Sequence, residues 1–326
     1  MNSIKSEKKI SVAEAAAEIK NGSTIIIAGF TVWRKPMAIM YEMVRQGKND
    51  LHLIMNNPSV GVDILIGSGC IKIWESNYCA HEIFGKIGNC FGRAVEEGSI
   101  IYEDYGHYHT VLRLQAGATG VPFLPAMSCL GTDLLNPEYD MLGRAGLRDG
   151  KNPRIPRKKF EIVEDNFYGE GRVVLVPAAR ADVCIAHVQK VGSQGTVRIE
   201  GQTFACIEAM KAADKLIVMA EEIVPENELR RDPGANCIPN FRVDAIVECP
   251  FGAHPTGVFG YYDMDGRFIS DYHLKSRTKE TFKAWVDEWV FGMKDHNQYL
   301  DKIGGSRLTS LRSNSALKWS TNVVRR

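Results

Sequence analysis

The chain has 326 residues, with 40 Lys and Arg against 39 Asp and Glu, for a formal charge of +1. So even a balance gives no footprint for a nucleic-acid partner, and no apolar run approaches the ~20 residues needed to span a bilayer. The first ten residues, MNSIKSEKKI, are charged and carry no apolar signal segment, so a cytoplasmic protein is expected. Eight cysteines (70, 79, 90, 129, 184, 206, 237, 249) are scattered without a CxxC pair and are expected as small buried hydrophobes. Cys79-x-His81 and His107-x-His109 each lack a second pair at zinc-site spacing, so no metal is expected.

Ser11-x-x-Glu14 is a capping box ahead of an Ala-rich helix over 12–20. Asn21-Gly22 turns into a short β-branched strand, Thr24–Ile27, followed by Ala28-Gly29-Phe30, a polar loop and Pro36, which opens a helix over 37–46. A buried parallel strand, a loop and a helix start form the place where open α/β sheets hold ligands. Gly29 allows close approach of backbone N–H groups to a ligand oxygen, and such groups can bind an anion or a developing oxyanion.

A strand over 51–55 ends in Asn56-Asn57-Pro58, and a short helix at 64–66 is stopped by Gly67-Ser68-Gly69. Strands are expected at 71–75, 100–103 and from 121, with helices at 82–95 and 110–119 between them. This alternation is the pattern of βαβ units. Residues 131–170 break it with Gly, Pro and Asn turns and a basic cluster, Lys151, Arg154, Arg157, Lys158 and Lys159. That stretch reads as an irregular excursion or an antiparallel flap, and its cations could meet phosphates, acids of another chain, or solvent. Strand-like runs resume at 173–176, 183–188, 216–219 and 243–247, with a helix at 206–213. An apolar stripe through Phe282, Trp285, Val286, Trp289, Val290 and Met293 reads as core or subunit interface. The expected fold is one α/β domain over 1–326, an open, mostly parallel sheet with flanking helices.

Residues 21–36, NGSTIIIAGFTVWRKP, resemble the signature of the first subunit of class I coenzyme A-transferases. Arg34-Lys35-Pro36 makes the segment similar to the A subunits of the glutaconate branch and of the related ring-cleaving acyl-CoA hydrolases. Ala28 and Arg34 stand where the general signature has glycines. The resemblance continues through Val121-Pro122-Phe123-Leu124-Pro125, Gly195-Thr196-Val197-Arg198-Ile199, Leu229-Arg230-Arg231-Asp232-Pro233, Gly252-Ala253-His254-Pro255 and Glu288-Trp289-Val290-Phe291. It implies a chain that works with a B subunit in one enzyme. In such enzymes a glutamate of the B partner attacks an acyl-CoA thioester, the CoA thioester is substrate, and no cofactor is permanently bound. The partner's Ser-Glu-Asn-Gly-type turn is absent here, so the chain is expected to be active only in a hetero-oligomer.

By position within the resemblance, His107 takes the place of a glutamine that helps hold the thioester oxygen. Glu82 falls where the glutaconate enzyme has a serine near the acyl carboxylate. An imidazole donates to an oxyanion and also moves protons near neutral pH, whereas a glutamate repels a dicarboxylate unless paired. His107 and Glu82 are therefore the candidate catalytic residues. Gly29, Phe30, Arg34, Lys35, Gly252 and His254 are the candidate substrate-binding residues, with Arg34 suited to a carboxylate. Three activities are compatible: CoA transfer from a dicarboxylic acyl-CoA to a small acid, hydrolysis of a cyclic acyl-CoA, or a non-catalytic scaffold role. GxSxG, P-loop and GxGxxG motifs are absent.

Overall fold

The computed structural model describes residues 6–169 and 171–323. Its strands are β1 (Thr24–Ile27), β2 (Leu51–Ile54), β3 (Ile71–Ser76), β4 (Ile101–Asp104), β5 (Phe123–Ala126), β6 (Glu161–Glu164), β7 (Arg172–Pro177), β8 (Ala181–Gly192), β9 (Val197–Arg198), β10 (Ala213–Val224), β11 (Asn236–Ile238) and β12 (Ala245–Glu248). The first helices are α1 (Val12–Ala17), α2 (Met37–Arg45), α3 (Val60–Gly67), α4 (Asn89–Glu96) and α5 (His107–Thr119). Then come α6 (Met141–Arg144), α7 (Cys206–Lys211), α8 (Glu226–Arg230), α9 (Gly266–Lys275), α10 (Lys279–Val286), α11 (His296–Ile303) and α12 (Gly305–Leu311). No helix among the described residues is long and apolar enough to cross a membrane.

The main sheet runs β4-β3-β2-β1-β8-β10-β12, every neighbouring pair parallel. Chain order climbs outward from β1 to β4 on one side and from β8 to β12 on the other. The reversal between β1 and β8 is a topological switch point, and ligands of open α/β sheets bind at the carboxyl ends of the strands there. The long β8 also carries an antiparallel extension, β9 and β11, beyond the end of β1.

The β-branched run of β1 explains its central place, since both faces are buried. Ile25 and Ile27 pack with α1 to α4 and the C-terminal helices, and Ile26 packs on the opposite face with α5 and α7. The stripe at 282–293 belongs to the first of these cores: Trp285 and Val290 are buried there, and the helix passes into a π-helical turn at Asp287–Phe291. The Ser11/Glu14 capping box is formed.

Several elements differ from the sequence reading. The expected helix at 82–95 is a single 3-10 turn, Glu82–Phe84, then a loop, then α4. Gly85 and Gly88 take extended backbone and interrupt the helix, and the space around them admits no side chain: a Cβ at Gly85 would lie 2.3 Å from the His273 ring and one at Gly88 2.4 Å from the Asp63 carboxylate. The strands expected near 121–124 and 173–176 do not join the parallel sheet. As β5 and β7 they pair antiparallel with each other, and β7 pairs with β6, in a separate three-stranded sheet. Pro122, Pro125 and Pro177 remove donors that a central strand would need. The helix expected from Thr110 starts at His107.

Candidate active site

The site grows from the exit of β1. Ala28 N–H still bonds to the Ile185 carbonyl of β8 at 2.9 Å, and then the chain turns sharply. Gly29 has φ +122°, and a Cβ there would sit 2.6 Å from the Arg34 carbonyl oxygen. Only glycine meets both conditions without strain. Phe30 and Trp33 exchange backbone hydrogen bonds at 3.0 and 2.7 Å, closing a tight loop in which Thr31 and Arg34 also take positive φ. The Gly29 N–H has no acceptor among the described residues. Gly29 lines a small recess with Asn56, Phe204 and Cys206.

Beside it lies the amino terminus of α5, thirteen residues long, whose first N–H groups have no intrahelical partner. His107 is its first residue. Its carbonyl accepts from Asn56 Nδ2 at 3.1 Å, and its ring stacks on Tyr78 with centroids 5.3 Å apart. Burial lowers the His107 pKa, which favours neutral imidazole at pH 7. Glu82 follows β3 at positive φ, half-buried, with Oε1 buried and without a hydrogen bond. Burial raises its carboxyl pKa, opposed by the fields of Lys35 and His81. The Glu82 charge is also felt at the Tyr78 hydroxyl. Tyr78 and Glu82 thus both follow β3, and the Tyr78 ring meets His107 at the start of α5.

Arg34 is buried and donates to the Gln202 carbonyl and, at 3.6 Å, to Cys206 Sγ. It also faces a cleft of about 320 Å³ with Phe30, Trp33, Glu200, Gln202 and Phe259. Phe30 packs against Phe204 with ring centroids 5.2 Å apart. Lys35 is completely buried, its ammonium donating to the Gly29 carbonyl at 2.7 Å and the Asn57 carbonyl at 2.9 Å. Its reading as a direct substrate ligand needs correcting, since those bonds commit it to the framework.

His254 and Gly252 lie behind the site rather than in it. His254 is buried, with Nδ1 paired to the Tyr299 hydroxyl at 2.6 Å and Nε2 to Asp265 at 3.0 Å. Both ring nitrogens being occupied, His254 locks its loop. The Gly252 carbonyl accepts from Ala38 N–H at 2.9 Å, and a Cβ there would come 2.7 Å from the Cys249 carbonyl. Gly252 therefore anchors the start of α2 and His254 ties its loop to Tyr299 and Asp265, and neither lines the cleft beside Arg34.

The basic cluster is largely paired within the chain. Lys159 pairs with Glu103 at 2.7 Å, Arg154 bridges Asp182 and Asp214, and Lys158 and Lys151 pair with Glu161 and Asp149. Of the two candidate ligand pairs, His81 lies 3.5 Å from Asp63, and His109 pairs with the Ser128 hydroxyl at 3.0 Å. No group of three or more metal-ligating side chains is placed to hold a metal among the described residues. The sequence reading missed Asn56, Tyr78, Gln202, Phe204 and Cys206. The Asn56-Asn57 turn after a strand was the one local signal; the others come together only through strand order.

Asn56 links the β1 exit to α5, lining the Gly29 recess and donating to the His107 carbonyl at the start of that helix. Residues 9–249 match the family described as coenzyme A transferase. The chain belongs to the coenzyme A transferase family. It is 37% identical to the A subunit of glutaconate CoA-transferase from Acidaminococcus fermentans over 94% of each chain. It is 32% identical to the A subunit of 3-oxoadipate CoA-transferase from Pseudomonas knackmussii, covering 87% of this chain and 94% of that one. Similarity extends to the cholesterol ring-cleaving hydrolase IpdA subunit of Rhodococcus jostii, at 26% identity over 90% of this chain and 95% of that one. The crystal structure of the Acidaminococcus glutaconate coenzyme A-transferase superposes with a TM-score of 0.91 at 36% identity, covering 96% of this chain and 98% of that one. The AibA/AibB decarboxylase superposes with a TM-score of 0.70 at 28% identity, covering 87% of this coenzyme A transferase chain and all of that chain.

Proposed function

We propose that this chain is the A subunit of a heteromeric CoA-transferase that moves CoA between a dicarboxylic acyl-CoA and a small carboxylic acid. The nucleophile is a glutamate of a B subunit. Its carboxylate attacks the thioester carbonyl carbon, and the C–S bond breaks to leave a mixed anhydride and CoA thiolate. The thiolate then attacks the glutamyl carbonyl, forming the glutamyl thioester and freeing the first acid as its carboxylate. The acceptor acid runs the two steps in reverse. A carboxylate is a weak nucleophile, so positioning and oxyanion donors must supply most of the rate.

The observation that carries this reading is the unpaired Gly29 N–H at the switch point, beside the amino terminus of α5. In this reading Gly29 N–H and the His107 imidazole donate to the oxyanion, Phe30 walls the acyl pocket, and Arg34 binds the distal carboxylate. Neutral His107 serves as an uncharged donor, as an amide would. The test is turnover of an acyl-CoA panel by the co-expressed A/B complex, with and without acetate, followed by borohydride or hydroxylamine trapping. Acceptor-dependent turnover and a trapped glutamyl thioester on the B partner are expected. Activity unchanged in both His107→Ala and Arg34→Ala would leave the chain a scaffold.

One observation favours a second reading, hydrolysis of a cyclic acyl-CoA. Glu82 keeps a buried carboxylate oxygen without a hydrogen bond, and its charge is felt at Tyr78, on which the His107 ring stacks, so a carboxyl and an imidazole both flank Tyr78 as candidate proton-transfer groups. Acceptor-independent CoA release or ring opening with no covalent adduct would select it.

A further inference from the structure

Lys35 is completely buried, and its ammonium makes no carboxylate pair among the described residues. It bridges two uncharged acceptors on different strand exits, the Gly29 carbonyl after β1 and the Asn57 carbonyl after β2. Its stem is also pressed under the turn: a Cβ on Gly29 would lie 2.9 Å from Lys35 Cδ. The Lys35 backbone N–H is itself held by the Thr256 hydroxyl at 3.1 Å, and that hydroxyl donates to the Ala253 carbonyl at 2.6 Å. The 251–257 loop therefore fixes Lys35, and Lys35 fixes Gly29.

We propose that Lys35 is a positioning residue: clamped on the Gly29 and Asn57 carbonyls, it sets the direction of the Gly29 N–H and places a buried positive charge beneath the oxyanion, without touching substrate. The inference rests on the CoA-transferase reading for its catalytic consequence. The Gly29 carbonyl belongs to the Gly29–Phe30 peptide and the Gly29 N–H to the Ala28–Gly29 peptide before it. Lys35 holds the first of these rigid units, and the Ala28 N–H bond to the Ile185 carbonyl holds the Ile27–Ala28 unit, so the peptide that carries the donor is fixed from both sides. A preorganised donor stabilises the oxyanion without reorganising during the reaction.

Burial without a carboxylate lowers the Lys35 pKa to about 7. The groups that face it are Arg34, which lowers it further, and Cys206, Cys79 and Glu82, which raise it. The buried charge is therefore present below about pH 7 and is lost above it.

The test uses the co-expressed complex carrying Lys35→Met or Lys35→Arg. For Lys35→Met the expected result is a kcat reduced about tenfold or more, part of the ~10²–10³ that a lost oxyanion donor costs, with KM within about twofold. The wild-type alkaline fall of kcat near pH 7 should vanish in Lys35→Arg, whose charge persists. An unchanged kcat, or a KM that rises with kcat intact, would overturn the proposal; the latter would make Lys35 a substrate ligand. Should the variants not assemble, ¹³Cε-lysine NMR of the wild-type full chain decides: one lysine titrating near pH 7 supports the poised cation, and all lysines titrating near the usual ~10.4 overturn it. If the wild-type complex turns over no acyl-CoA, the CoA-transferase reading fails while the lysine titration still reports on the clamp.

Discussion

Glu75 and Glu82 stand at the end of β3 and just beyond it, and the protein treats their carboxylates in opposite ways. Glu75 is completely buried and fully paired, with His52 at 2.6 Å and Arg113 at 2.5 Å. Burial alone would raise its pKa, but Arg113 and His52 overcome that and hold the carboxyl well below the usual range. Glu82 keeps one buried oxygen without a hydrogen bond, and burial prevails, raising its pKa. The same contrast separates His254, paired at both nitrogens, from His107, which only stacks on Tyr78. The contrast belongs to these pairs and not to every buried group, since Arg113 Nε, Trp74 Nε1 and His187 Nδ1 in the framework are also buried without a hydrogen bond.

The largest effect that tests this contrast is on stability. Glu75→Ala strands Arg113 in the core and should cost about 3–5 kcal/mol in denaturant unfolding. Glu82→Gln should change stability by less than about 0.5 kcal/mol. Equal losses at both positions would erase the distinction.

Next comes Gly29→Ala, which adds a Cβ against the Arg34 carbonyl at a positive φ. It should lower complex activity by about 10²-fold, as expected for a misplaced oxyanion donor, and cost about 1–3 kcal/mol of stability. Full activity would remove the β1 exit from the chemistry.

His107→Gln and His107→Ala sharpen the choice of reaction. If His107 only donates a hydrogen bond, Gln should retain most activity while Ala loses about tenfold or more. If His107 transfers protons, both should lose about 10²-fold, and the pH profile should flatten on the acid side. Steady-state pH profiles of the two variants separate these cases.

The smallest expected effect is the pH dependence of stability. Folding lowers the Glu75 and Asp265 carboxyls, so their contribution is complete above about pH 4.5 and is lost as the pH falls through the folded values. Glu75→Gln should flatten that acid slope. Lys35 acts at the other end: its folded pKa of about 7 lies below the unfolded ~10.4, so the unfolded chain binds more protons between them. Stability relative to Lys35→Met should therefore rise with pH across that window, and a flat difference would contradict the burial of a charged lysine.

Much of this protein could be read locally. The Thr24–Ile27 strand, the Ser11/Glu14 cap, and the special backbone at Gly29 all follow from residues within a few positions of one another. The reading failed where a distant partner decided the outcome. Gly85 and Gly88 interrupt an expected helix with extended backbone packed so closely on His273 and Asp63 that no Cβ would fit. Gly252 and His254 had the look of a strand-end ligand loop, but Tyr299 and Asp265, from the C-terminal part of the chain, closed it from within.

By itself the sequence determined the alternation of strands and helices, the exit loop of β1 and the family to which the chain belongs. Those depend on side-chain periodicity, on turn chemistry, and on motifs carried in contiguous residues. Tertiary structure alone decided that Asn56 lines the Gly29 recess and meets His107, that His107 stacks on Tyr78, and that Lys35 serves the backbone rather than the cleft. Strand order sets which exits are neighbours, and a local pattern cannot encode it, because periodicity reports which face a residue takes but not what lies across from it.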